Sequence, residues 1–117
     1  MNIKHLLKSL SKPVKRLLFD EIEFDGLEKS LMVRSYLYGE SQQWIIDNLN
    51  MSQTAVTCLH KRCLEQIESY FGLLKYNYEH GIDDKFLKYF YTCAKDIKLV
   101  NEYIKDNEPQ LVKNKAN

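Results

Sequence analysis

The chain has 117 residues, 44% hydrophobic and 28% charged, with a formal net charge of +1. That length and balance fit one globular domain with a modest core, and they exclude a collagen-like, low-complexity or strongly polybasic protein. No apolar run approaches the roughly 18–20 residues of a membrane span. An odd count of three cysteines without close paired spacing argues for a reduced setting rather than a disulfide framework. With four Gly, two Pro and abundant Leu, Lys, Glu and Ile, the expected class is all-α.

In chain order, Ile3, Leu6, Leu7 and Leu10 make a short amphipathic helix with Lys4 and Lys8 off its apolar face. The basic start has apolar stretches too short for a secretory h-region. Ser11 is placed to cap a second helix that tolerates Pro13 in its first turn, with Val14, Leu17, Leu18 and Ile22 as the buried stripe. Charge is segregated here. Residues 1–16 hold Lys4, Lys8, Lys12, Lys15 and Arg16 and no acid, while residues 20–28 hold Asp20, Glu21, Glu23, Asp25 and Glu28 and no base. Two readings stand: a basic face for a phosphate backbone or an anionic surface, or a solvated face that pairs with the acidic run.

Asp25-Gly26 reads as a turn. Leu27, Leu31, Val33, Arg34, Leu37 and Tyr38 then read as a supporting helix closed by Gly39. Ser41 caps a short helix bearing Trp44, Ile45 and Leu49. Asn50 interrupts it, Met51 follows, and Ser52 caps the next helix. In that helix Ala55, Val56, Leu59, Cys63 and Ile67 share one face, with Gln53, Thr54, Thr57, Lys61 and His60 turned away from it. Tyr70, Leu74 and Tyr78 extend the apolar face toward His80, past a costly Gly72 that is a candidate kink. Gly81 is the next stop.

These residues carry a resemblance. Tyr38-Gly39-Glu40-Ser41, Ile45-Ile46-Asp47-Asn48-Leu49, Asn50-Met51-Ser52, Ala55-Val56 and Arg62-Cys63-Leu64 resemble the helix-turn-helix of sigma-factor region 4 and its relatives, over about a third of the chain. Asn50 stands where that family carries a turn Gly, and it tolerates the left-handed conformation. Ile46 stands where a small Ala is usual. The resemblance implies a small phage- or bacterial-type regulator whose second unit helix enters the major groove of double-stranded DNA, in a bacterial or virus-infected bacterial cytoplasm.

Asp83 and Asp84 suit the start of a last helix. Phe86, Phe90, Cys93, Ile97, Val100 and Ile104 then recur at four- and three-residue steps, a heptad seam. Either the helix packs back antiparallel within the chain, or the seam makes a homodimer. Glu108-Pro109 is expected to end regular structure, leaving residues 108–117 as a mobile tail.

The chemistry of other classes is thin. Cys58, His60 and Cys63 lie close in sequence but on different sides of one helix, and no CxxC or HxxxH completes a metal site, so no metal and no cofactor is expected. Cys63 and Cys93 read as small core residues. There is no Gly-rich phosphate loop and no nucleophile motif, so no enzyme is expected.

The sequence reading is therefore one domain over residues 1–117. It comprises a basic/acidic arm (1–25), a helix-turn-helix unit (27–71), a helical extension (72–107) and the tail, with five or so helices and the last one long. Base contacts are assigned to Gln53, Thr54, Thr57 and Lys61, whose donors and acceptors suit base edges. Phosphate contacts are assigned to Arg34, Ser41, Gln43, Ser52, His60 and Arg62. One objection is local charge. Residues 41–70 set Lys61 and Arg62 against Asp47, Glu65 and Glu68, whereas a DNA reader ordinarily shows a basic footprint. The alternative function is a protein-interaction or assembly module of adaptor, DNA-packaging or anti-defence type, with RNA polymerase or another protein as partner. Eight Tyr residues, Tyr76, Tyr78, Tyr89 and Tyr91 among them, are its aromatic signal.

Overall fold

The computed structural model describes residues 1–80 and 93–116. All six helices among them are α-helices: α1 (Ile3–Ser9), α2 (Lys12–Glu21), α3 (Gly26–Tyr36), α4 (Gln42–Asn48), α5 (Gln53–Glu79) and α6 (Ala94–Ala116). The described part of the protein is all-helical, as its composition predicts.

Short-range chemistry sets most helix ends. Asn2 caps α1, its side chain accepting from the His5 N–H at 2.8 Å. Asp25 and Glu28 form a reciprocal capping box at the start of α3. The expected Asp25-Gly26 turn is thereby corrected: Asp25 is an N-cap, and Gly26 is already helical. Gly39 takes φ +68° after α3, and Glu40 donates back to the Arg34 carbonyl at 2.9 Å. Asn50 takes φ +52° between α4 and α5, so the side chain standing in for glycine does adopt the left-handed turn.

One core serves the whole described chain. Leu6 and Leu7 of α1, Val14, Leu18 and Phe19 of α2, Leu31 and Met32 of α3, Ile45 of α4, Ile67 and Phe71 of α5 and Val100 of α6 are all sealed from water. The N-terminal arm is thus part of the same core as the segment it precedes. Helix α5 is the spine. At 27 residues it runs roughly 40 Å, close to the molecule's longest dimension of 43 Å. It passes straight through Gly72 as helix, and its inner stripe turns from the expected Tyr70 to Phe71, with Tyr70 half-buried.

Helix α6 is tied along α1. Asp96 in its first turn accepts from Ser11 N–H and Ser11 Oγ, each at 2.9 Å, and Asp106 pairs with the Met1 amine at 3.0 Å. Successive contacts advance along α1 while retreating along α6, so these two helices are antiparallel. The Ser11 hydroxyl, expected to cap α2, bonds Asp96 instead.

Three expectations need correction or bounding. Of the heptad seam, Phe86 and Phe90 lie outside the described residues. Val100 is fully buried within the chain, and Cys93, Ile97 and Ile104 pack half-buried on the same core, so these positions seal α6 onto its own molecule rather than offering a dimer seam. Regular structure does not stop at Glu108-Pro109. Helix α6 continues to Ala116, because a proline deletes one backbone donor and crowds one carbonyl while the flanking turns keep their own bonds. Finally, the basic and acidic runs near the N-terminus form no ion pair with each other among the described residues; Asp20 pairs with Lys29 at 2.7 Å.

Candidate nucleic-acid interface

Helices α4 and α5 begin with serine caps. Ser41 Oγ accepts from the Trp44 N–H and Ser52 Oγ from the Ala55 N–H, each at 3.1 Å. Both hydroxyls therefore serve the backbone, and what remains for an anion at these ends is the open amide groups beyond the cap. Gln42 Nε2 reaches Thr57 Oγ1 at 3.4 Å, and that hydroxyl donates to the Gln53 carbonyl at 2.9 Å. A polar thread thus joins the start of α4 to the second turn of α5.

Gln53, Thr54, Thr57 and Lys61 are all exposed on α5. Their spacing places them within about 100° of arc. No other part of the described chain covers Thr54 or Thr57. The phosphate candidates are dispersed. Gln43 is exposed but donates to Asp47 at 2.9 Å. Arg34 is exposed, its guanidinium 4.9 Å from the Tyr38 ring and 5.3 Å from the Trp44 ring, which holds it at the α3–α4 junction by cation–π attraction. Arg62 lies about 140° around α5 from Thr57 and lines a separate groove with Ile22 and Tyr70.

His60 is placed differently from its expected role. It is half-buried, and a 2.7 Å hydrogen bond joins its Nε2 to the Tyr36 hydroxyl, the rings 5.7 Å apart. Burial, helped by the nearby Lys4 charge, lowers its pKa below the usual 6.5. A neutral, engaged imidazole is a poor phosphate ligand; here it couples α3 to α5. The unfolded chain takes up a proton near the ordinary histidine pKa that the folded chain resists. Stability is therefore complete above that range and declines as pH falls below it. The urea midpoint is expected to drop between about pH 7.5 and about pH 5.5, and His60→Gln to flatten that slope. An identical slope in the variant would contradict the assignment.

Buried charge explains where the N-terminal lysines go. Lys15, expected on the basic face, is buried and donates to the Tyr36 carbonyl at 2.8 Å, the last residue of α3. A cation at a helix C-terminus is favourably placed, while desolvation pulls its pKa down. Glu28 is buried as well, bridging its own capping box to Gln66 Nε2 at 2.8 Å. Lys4 stays exposed and lines a cleft shared with Gln42, Thr57 and His60. Sequence reasoning missed Lys4 and Gln42. The basic helical face of α1 was visible, but its position 53 residues away from Thr57 in the chain was not.

Cys63 is buried, its thiol pushed up to about 12 by desolvation with Glu28 and Asp25 adding to it, and Cys58 is exposed. Among the described residues no group of His, Cys, Asp or Glu is arranged to hold a metal ion, and no helix is long and apolar enough to cross a membrane. Tyr76 stacks on His80 at 3.9 Å; Tyr89 and Tyr91 lie outside the described residues. Comparison with protein-family models, with curated proteins and with solved structures finds no match to this chain.

Proposed function

We propose that the protein binds double-stranded DNA through α4 and α5, with the first turns of α5 in the major groove. On this reading it acts as a sequence-specific regulator or accessory factor of the sigma-region-4-like kind. Gln53, Thr54, Thr57 and Lys61 read base edges, and the open amides at the starts of α4 and α5 take phosphates. The observation that carries the reading is the position of Lys4. The segment 41–70 lacks a basic footprint of its own, and α1 brings a free cation to the border of the Thr57 face. Lys8 follows one helical turn later and is exposed, so α1 extends positive charge away from that border.

Fluorescence anisotropy with a labelled duplex, over a salt series, tests this. Wild type is expected to lose affinity steeply with salt. Lys4→Glu and Lys61→Glu are each expected to weaken binding at least about tenfold and to flatten the salt slope by about one. Affinity flat with salt and equal in all three proteins would exclude the DNA reading.

One observation favours the alternative, a protein-interaction module. Leu73 is 48% exposed beside an open groove of about 380 Å³ that Ile22 and Tyr70 also line. Exposed apolar surface rimmed by polar groups is typical of protein contacts. Leu73→Glu is expected to leave duplex binding unchanged on the DNA reading.

A further inference from the structure

The cleft bordered by Lys4 has a second property. Its wall is formed by the aliphatic side chains of Leu31, Ile45 and Val56, and its rim carries Lys4, Ser35 and His60. Its volume is about 180 Å³, similar to the roughly 150 Å³ engineered cavity that admits benzene. Among the described residues the Ser35 hydroxyl and the Lys4 ammonium have no hydrogen-bond or ion-pair partner, and both face this space. His60 has given one ring nitrogen to Tyr36. An apolar wall with an unpaired cation and hydroxyl at its mouth is the usual layout of a small-molecule site, in which apolar contacts hold the body and a few polar groups fix orientation.

We infer that this cleft binds a small carboxylate with a branched aliphatic body of about six to eight non-hydrogen atoms. The carboxylate meets Lys4 and Ser35, and the aliphatic end lies on Ile45 and Val56. A bare phosphate has no use for the apolar wall, and a neutral hydrocarbon leaves the cation unmet. The cleft draws its walls from α1, α3, α4 and α5, so a ligand there braces the helices that present Thr57. Resting on the DNA reading, a further consequence is that the ligand neutralises the cation nearest the duplex and lowers its affinity.

The test is a titration of the full chain, without nucleic acid, followed by ¹H–¹⁵N spectra. The probes are 4-methylpentanoate, its alcohol 4-methylpentan-1-ol and inorganic phosphate. The carboxylate is expected to give saturable shifts centred on Ser35, Ile45, Val56 and His60. It should bind at least about tenfold tighter than the alcohol, one power of ten being about 1.4 kcal/mol. Lys4→Gln, a change at an exposed position that leaves the fold intact, should remove that advantage and leave the alcohol unaffected. Shifts that do not saturate, equal carboxylate binding by Lys4→Gln, or the same shifts from phosphate alone would each overturn the assignment. Because no DNA is present, failure here is separate from failure of the duplex experiment.

Discussion

Phe71→Ala is expected to destabilise the protein by about 3–5 kcal/mol, the usual cost of deleting a fully buried aromatic ring. Phe71 has no solvent exposure. Its ring sits 6.2 Å from that of Tyr70 and 5.6 Å from that of Tyr103, so it is the contact through which α5 holds α6. Small domains have about 5–15 kcal/mol in total, and the loss therefore consumes a large share of it. Urea denaturation followed by circular dichroism should show a much lower midpoint with little change in slope. Phe71→Leu keeps much of the volume and should cost less than half as much. Phe24→Ala, at a half-buried ring 6.3 Å from Phe19, provides the comparison and should cost clearly less. A Phe71→Ala midpoint within about 1 kcal/mol of wild type would show that α6 does not rest on this ring.

Asp96→Ala is expected to cost about 2–3 kcal/mol, because hydrogen bonds to a charged acceptor are the stronger kind and their donors are left behind. The carboxylate is 3% exposed and receives both Ser11 N–H and Ser11 Oγ. It also lies in the first turn of α6, where a negative charge is favoured by the helix dipole. Removing it strands the Ser11 amide at the α1–α2 junction. Asp96→Asn keeps one acceptor oxygen for that amide, and its own N–H can donate to the rotatable Ser11 hydroxyl, so it should be milder. Ser11→Ala removes only the hydroxyl bond and should cost about 1 kcal/mol. The two alanine substitutions share a partner, so their combined effect should fall short of their sum. Full additivity in urea titrations would mean that the two residues do not act together.

Local signals in the sequence reach as far as a helical turn or two, and that is how far they proved legible. Ser41 and Ser52 cap the helices they precede, Asn50 and Gly39 take the left-handed turns, and Val56, Leu59, Cys63, Ile67 and Leu74 form the inner stripe of α5. Two local signals misled. The Asp25-Gly26 pair resembles a turn until Glu28 closes a capping box over it, and Pro109 resembles a stop although helix continues past it. Periodicity also could not distinguish a heptad seam facing a second copy from one facing the chain's own core, since both bury the same residues.

The sequence by itself determined an all-α chain, its helix starts and the exposed polar face of α5, because caps and amphipathic spacing act between neighbours in the chain. Only the tertiary structure decided which charged groups are buried and which are free. Lys15 meets Tyr36 across 21 residues, His60 meets the same tyrosine across 24, Glu28 meets Gln66 across 38, and Asp96 meets Ser11 across 85. Lys4 comes beside Thr57 in the same way. A desolvated charge requires a partner, and no local rule names a partner that packing delivers from so far along the chain.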